Sequence, residues 1–180
     1  MGLTITYLII VIYTVALLLI FFYSLAQLNL LINYLGYKKR IQVAPKFNLL
    51  DPREIPFVTI QLPIYNEEYV VERLLENIAK LEYPNSKLEI QVLDDSTDDS
   101  VNDTARHIKA LQETGLDIVH IRRENREGYK AGALKEGLKI AKGDFIAIFD
   151  ADFMPAHDWL KKTVIYFKDS EIGVVQTRWG

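Results

Sequence analysis

The chain opens on a long apolar run and then changes character. No charged side chain occurs before Lys38, and from Leu3 to Ala26 nearly every residue is apolar. About 20 such residues suffice to cross a bilayer as a helix. No polar face recurs in the run at helical spacing, which argues against a core helix of a soluble domain. A cleaved signal peptide requires a basic n-region and a short apolar core; this run is long and has no Lys or Arg ahead of it, so an uncleaved anchor is expected. The segment Leu28-Asn-Leu-Leu-Ile-Asn-Tyr-Leu-Gly-Tyr37 either extends that helix or lies along the interface. Lys38-Lys39-Arg40 flanks the run on its C-terminal side only, which by the positive-inside rule makes that side cytoplasmic and leaves Met1 outside. The expected organisation is a transmembrane anchor over 1–36, a basic juxtamembrane segment and linker over 37–55, and a folded domain over 56–180. Pro45, Pro52 and Pro56 punctuate the linker and its end.

Beyond the linker, strand and helix patterns alternate. Apolar-rich runs predict strands at 57–62, 88–93, 117–121 and 144–149, and again at 172–176. Between them, apolar residues recur at helical spacing. Val71, Leu74, Leu75 and Ile78 mark one helix; Val101, Ala105, Ile108 and Leu111 mark a second, with Gly115 as its stop. Ala131, Leu134, Leu138 and Ala141 mark a third, closed by Gly143, and Leu160, Val164 and Phe167 a fourth. This alternation predicts an α/β fold, a mostly parallel, Rossmann-like sheet with helices on both faces.

Composition narrows the partners. All 24 acidic residues lie in 51–180, where 17 Lys and Arg leave a formal charge of −7. An acidic soluble part argues against a nucleic-acid partner. The absence of cysteine excludes disulfides, zinc thiolates and thiol nucleophiles.

In a parallel sheet, ligands bind at the carboxyl ends of the strands. Those ends carry Pro63-Ile-Tyr-Asn-Glu67, Asp94-Asp95-Ser-Thr97, Arg122-Arg-Glu-Asn-Arg-Glu-Gly-Tyr-Lys130 and Asp150-Ala-Asp152. The stretch Phe145-Ile-Ala-Ile-Phe-Asp150-Ala-Asp152 runs apolar residues straight into two carboxylates. As hard oxygen ligands, Asp150 and Asp152 suit Mg2+ or Mn2+ held together with substrate phosphates. A solvated turn with capping aspartates is the alternative. Asp94 or Asp95 can accept a hydrogen bond from a base N–H or a ribose hydroxyl, while Asp98 and Asp99 suit helix capping. Lys130 places a positive charge near a helix start, where an anionic partner would compensate it. Arg122, Arg123 and Arg126 read as a solvated loop with phosphate contact left open. His107, His120 and His157 show no ligand spacing and read as core or surface histidines. No Gly-x-Ser-x-Gly, Walker or Gly-x-Gly-x-x-Gly motif occurs, which leaves Ser/His hydrolysis, P-loop and dinucleotide readings without support.

Four motifs in order, Val58-Thr-Ile-Gln-Leu-Pro-Ile-Tyr-Asn-Glu67, Val92-Leu-Asp-Asp-Ser-Thr97, Gly128-Tyr-Lys-Ala-Gly-Ala-Leu-Lys135 and Phe149-Asp-Ala-Asp152, resemble a family 2 glycosyltransferase of GT-A fold. The likeness is greatest to membrane-bound cellulose synthase-like enzymes of the glucomannan or mannan synthase kind, and covers about residues 55–180. It implies transfer of a hexose from a UDP- or GDP-linked donor to a polysaccharide or other hydroxyl acceptor, with inversion. It implies that Pro63, Tyr65 and Glu67 sit by the nucleotide base, and that Asp94 and Asp95 match the paired acids at the nucleoside, Asp95 making the direct contact. Lys130 would lie near the nucleotide, and Asp150 and Asp152 would form the D-x-D, with Asp152 the direct metal ligand. It implies a membrane setting, plasma or bacterial inner membrane, with the catalytic domain cytoplasmic. In similar enzymes the general base, a Gln-x-x-Arg-Trp motif and further membrane spans lie beyond the equivalent of Gly180, so a chain truncated at its C-terminus, carrying the donor and metal half, is expected. Gln176-Thr-Arg-Trp179 has one residue between Gln and Arg and is not that motif.

Other functions compete. A haloacid dehalogenase-like phosphatase also uses an Asp-x-Asp, but after the first strand of its domain and before Thr or Val; here the motif follows the fourth strand and precedes Phe153. A polyprenyl-phosphate sugar transferase is the nearest neighbouring activity, and a non-catalytic membrane scaffold the reading from a different class.

Overall fold

The computed structural model describes residues 2–38 and 51–177. Most of the expected linker, and Arg178 to Gly180 of the tail, lie outside the described residues. The chain divides into two units, Met1–Val43 and Ala44–Gly180.

The first unit holds one helix, α1 (Gly2–Lys38), so the segment before Lys38 extends the helix. Some of its polar side chains bond within it. The hydroxyls of Thr6, Thr14 and Ser24 donate to the carbonyls of Gly2, Ile10 and Ile20, and Asn33 donates to Asn29 at 2.9 Å. Such back-bonding hides hydroxyls that would otherwise be costly in hydrocarbon.

The second unit is built on four parallel strands: β1 (Val58–Ile64), β2 (Leu88–Asp94), β3 (Ile118–Arg122) and β4 (Phe145–Ile148), in the order β3-β2-β1-β4. Val58 pairs with Leu88 on one side and Phe145 on the other, so residues two apart along β1 and β2 share a face. Val58, Ile60, Leu62 and Ile64 join Leu88, Ile90 and Val92 on the apolar face. They pack in one core with Val71, Leu74, Leu75 and Ile78 of α2 (Val71–Ala79) and Ile108 of α3 (Ser100–Glu113). The alternate residues, Thr59, Gln61, Glu89 and Gln91, are buried as well. They pair with each other: Thr59 Oγ1 donates to Glu89 at 2.7 Å and Gln61 to Gln91 at 2.9 Å. α4 (Tyr129–Leu138) lies over this polar ladder and receives a bond from Gln61 at the Leu134 carbonyl. Both faces are therefore covered, each in its own chemistry.

Asp98 caps α3 by accepting the Ser100 N–H at 3.2 Å, whereas Asp99 stands at the cap position without a side-chain bond. The third predicted helix is shorter than its pattern and ends at Leu138. The fourth is α5 (Trp159–Thr163), continued by a 3-10 turn over Val164–Lys168. The strand expected at 172–176 is not formed. The segment begins from a turn closed by Ile172 N–H on the Asp169 carbonyl and joins no ladder. Val174 is 82% exposed, while Ile172 and Val175 are partly buried.

Candidate functional site

β1, β2 and β3 wind outward in one direction, and β4 returns to the other side of β1. The strand order thus reverses between β1 and β4, and a crevice opens there past the carboxyl ends. A cleft of about 470 Å³ occupies that position, with Pro63, Tyr65, Glu67, Asp95, Arg126, Lys130, Asp150 and Asp152 in its walls. β1 delivers Pro63, Tyr65 and Glu67; the turn after β2 delivers Asp95; the first turn of α4 delivers Lys130; the turn after β4 delivers both aspartates.

Of the predicted site residues, Asp94 does not line this cleft. It is the last residue of β2 and points into the apolar side, where its side chain is fully buried. His120 Nε2 lies 2.8 Å from its Oδ2, and the Ser96 N–H donates to its Oδ1 at 2.8 Å. Burial pushes the Asp94 carboxyl up, but the His120 and Ser96 bonds outweigh it and hold its pKa below the ordinary carboxylate value.

Asp95 sits on the cleft side and is gripped by Arg123. Nε of Arg123 donates to Asp95 Oδ1 at 2.9 Å and its terminal nitrogen to Oδ2, a forked, nearly buried pair. The same guanidinium donates to the carbonyls of Glu127 at 2.9 Å and Tyr129 at 3.0 Å. Arg123 therefore fixes both the carboxylate and the loop that leads into α4. That loop turns through two left-handed residues, Gly128 at φ +69° and Tyr129 at φ +48°. A left-handed tyrosine is unusual, and backbone strain of this kind clusters at ligand sites.

Arg126 lies with its guanidinium 3.3 Å from the centroid of the Tyr65 ring and its Nε 3.9 Å from Asp95 Oδ2. That Nε is buried with no hydrogen-bond partner among the described residues. A buried N–H without a hydrogen bond is uncommon, and its nearest acceptor is the Asp95 carboxylate at 3.9 Å.

Lys130 pairs with Asp150, both about half exposed. Asp152 is exposed and makes no hydrogen bond or ion pair with the described residues. No group of three or more His, Cys, Asp or Glu side chains able to hold a metal occurs among the described residues. Two carboxylates alone do not make a closed metal cage. They do suit Mg2+ or Mn2+, which take one or two carboxylates and complete their shell with phosphate oxygens and water.

Sequence reasoning left the Arg123 and Arg126 loop open and assigned His120 no partner. The signal for Arg123 is its place at the end of a strand adjacent to one that ends in Asp94-Asp95. Arg126 and His120 carry no comparable signal. A larger cavity, about 830 Å³, lies alongside α4, but its Arg123 and Lys139 are already paired, with Asp95 and Glu136.

A parallel α/β sheet with acidic and basic groups gathered at its switch point defines a Rossmann-like nucleotide-binding domain of the GT-A kind. The chain belongs to glycosyl transferase family 2, whose family model matches residues 59–180. It is 42% identical over 129 residues to glucomannan 4-beta-mannosyltransferase 1 of Oryza sativa subsp. japonica, covering 69% of this chain and 25% of that protein. It is likewise 42% identical over 129 residues to glucomannan 4-beta-mannosyltransferase 9 of Arabidopsis thaliana, covering 69% of this chain and 24% of that one. Among solved structures it resembles the mannosyltransferase PcManGT from Pyrobaculum calidifontis in complex with GDP-Man and Mn2+, with 32% identity and a TM-score of 0.64 over 80% of this chain and 41% of that one. The chain spans about a quarter of the length of the curated relatives it matches.

Proposed function

We propose that this chain carries the donor and metal half of a membrane-anchored glycosyltransferase. It binds a nucleotide-linked hexose, GDP-mannose in the first instance, for transfer to a polysaccharide hydroxyl with inversion. The observation that carries this reading is the convergence of Asp95, Lys130, Asp150 and Asp152 on one cleft at the switch point. The relatives' mannosyltransferase names and the GDP-Man and Mn2+ of the resembling structure support the choice of donor and metal.

Each group has a task the geometry allows. Asp95, held still by Arg123, accepts a hydrogen bond from a base N–H or ribose hydroxyl. Tyr65, Arg126, Pro63 and Glu67 form the wall beside the base. Lys130 leaves Asp150 for a phosphate oxygen, and Asp150 and Asp152 are then free to hold the cation. A divalent cation held by Asp150 and Asp152 would supply positive charge against that growing on a diphosphate leaving group. Inversion needs a base for the acceptor hydroxyl. Asp95 is committed to Arg123 and the D-x-D pair would be committed to the metal, so none of these three carboxylates is free to be that base. α1 serves as the membrane span, with the second unit on the cytoplasmic side.

The test is Mn2+-dependent GDP-mannose binding by the full chain in detergent, against its Asp150→Ala, Asp152→Ala form. The double variant is expected to lose metal-dependent binding; equal binding by both ends the assignment.

A further inference from the structure

His120 touches nothing in the cleft, yet it stands at the head of a hydrogen-bond chain that reaches two of its walls. Its Nε2 lies 2.8 Å from Asp94 Oδ2, and a carboxylate as buried as Asp94 is costly unless its oxygens are bonded. The other oxygen accepts the Ser96 N–H at 2.8 Å. Ser96 is pinned twice more. Its hydroxyl accepts the Asn66 N–H at 2.9 Å, and its carbonyl accepts from Arg122 at 2.7 Å. Asn66, left-handed at φ +54°, returns its side-chain oxygen to the Thr97 N–H at 2.9 Å. The sequence His120–Asp94–Ser96–Asn66 therefore ties β3 to the turn bearing Asp95 and to the turn bearing Tyr65 and Glu67.

We propose that His120 is a positioning residue for donor binding: by donating from Nε2 to buried Asp94 it fixes the two turns that present Asp95, Tyr65 and Glu67 to the nucleotide. The proposal rests on the donor-site reading above. A hydrophobic residue at 120 would leave Asp94 Oδ2 without this bond in an apolar surround, and the Asp94-Asp95-Ser96 turn would rearrange to rehydrate it. Because Asp95 follows Asp94 directly, that rearrangement moves a cleft wall. Asn66 leads the disturbance to the turn after β1.

The experiment compares the wild-type full chain in detergent with His120→Leu and His120→Gln. Glutamine keeps an N–H donor near the place of Nε2; leucine does not. Hydrogen–deuterium exchange over 64–67 and 94–97 is read without ligand, and GDP-mannose affinity is read with Mn2+. His120→Leu is expected to speed exchange in both segments and to weaken donor binding roughly tenfold, with His120→Gln recovering to within about threefold of wild type. If His120→Leu does not fold, Ser96→Ala breaks the link to Asn66 while leaving the His120–Asp94 pair, and is expected to speed exchange over 64–67 and weaken binding. Unchanged exchange, or faster exchange with unchanged donor affinity, overturns the positioning role while leaving the donor site standing. A wild-type chain that binds no GDP-mannose overturns the donor reading itself, and the role of His120 with it.

Discussion

In the proposed site, Lys130 and a divalent cation would compete for the Asp150 carboxylate. With nothing bound, the Lys130 ammonium neutralises Asp150. The pair is half exposed, so it stabilises by no more than about 1 kcal/mol. Lys130→Gln is therefore expected to tighten Mn2+ binding in the absence of donor by up to about fivefold, and to weaken binding of the nucleotide sugar by roughly tenfold, because a phosphate contact is lost. Titration calorimetry with Mn2+ alone and then with GDP-mannose reads the two opposite signs; the same sign in both would mean that Lys130 does not exchange partners. Asp94 gives a pH prediction. Its folded-state pKa is depressed, so its contribution to stability is complete above the ordinary carboxylate pKa near ~4 and is lost as pH falls through the lower folded value. Asp94→Asn should then cost about 1–3 kcal/mol at neutral pH, with the gap to wild type closing on acidification, as followed by thermal melts. The D-x-D pair was legible because an apolar strand runs directly into it. Between Asp94 and Asp95, only the family resemblance favoured Asp95 for the direct contact. Adjacent residues at a strand end point to opposite faces, and the choice between core and cleft depends on which face His120 and Arg123 occupy.

The elements around the cleft are held by close approach as much as by apolar burial. At Gly132, on α4, an added Cβ would lie 1.9 Å from the Glu127 carbonyl oxygen and 2.6 Å from an Arg123 nitrogen. Gly132→Ala is expected to push the loop off α4, loosen the Arg123–Asp95 grip and weaken donor binding, with a stability loss of about 1–3 kcal/mol. At Gly137 a Cβ would meet Gln61 and Gln91 at 2.7 Å, so Gly137→Ala should lift α4 from the polar ladder at a similar cost with less effect on the donor. Comparing melting temperature with GDP-mannose affinity for the two variants separates them. The four parallel strands and the helices between them were legible from periodicity. The ladder was not: β1 and β2 were read only as apolar-rich runs under helices on both faces, and it is α4 lying over them that makes Thr59, Gln61, Glu89 and Gln91 a buried polar layer. The strand expected at 172–176 does not form although β4, last in the sheet order, leaves an edge open, and nothing in the structure explains its absence.

At the scale of the whole chain, charge is partitioned along the sequence. A first unit without acidic residues precedes a second with a formal surplus of seven negative charges, counted over 51–180. α1 has 37 residues, about 55 Å of helix, against a hydrocarbon core of about 30 Å. It is thus long enough to cross a bilayer and still project beyond it or tilt within it. The hydroxyls of Thr6, Thr14 and Ser24 are bonded back to its own carbonyls, which lowers the cost of placing them in hydrocarbon. In the proposed topology the basic cluster on its C-terminal side faces the cytoplasm, and the donor would then reach the cleft from there. The absence of native cysteine makes this directly testable. Gly2→Cys and Lys109→Cys place single thiols at the start of α1 and on an exposed position of α3. In intact cells a membrane-impermeant maleimide is expected to label the thiol at 2 and to reach the thiol at 109 only after permeabilisation. The protein should also resist extraction at alkaline pH. The reverse labelling pattern would place the cleft outside, and labelling of both thiols in intact cells would deny that α1 spans at all.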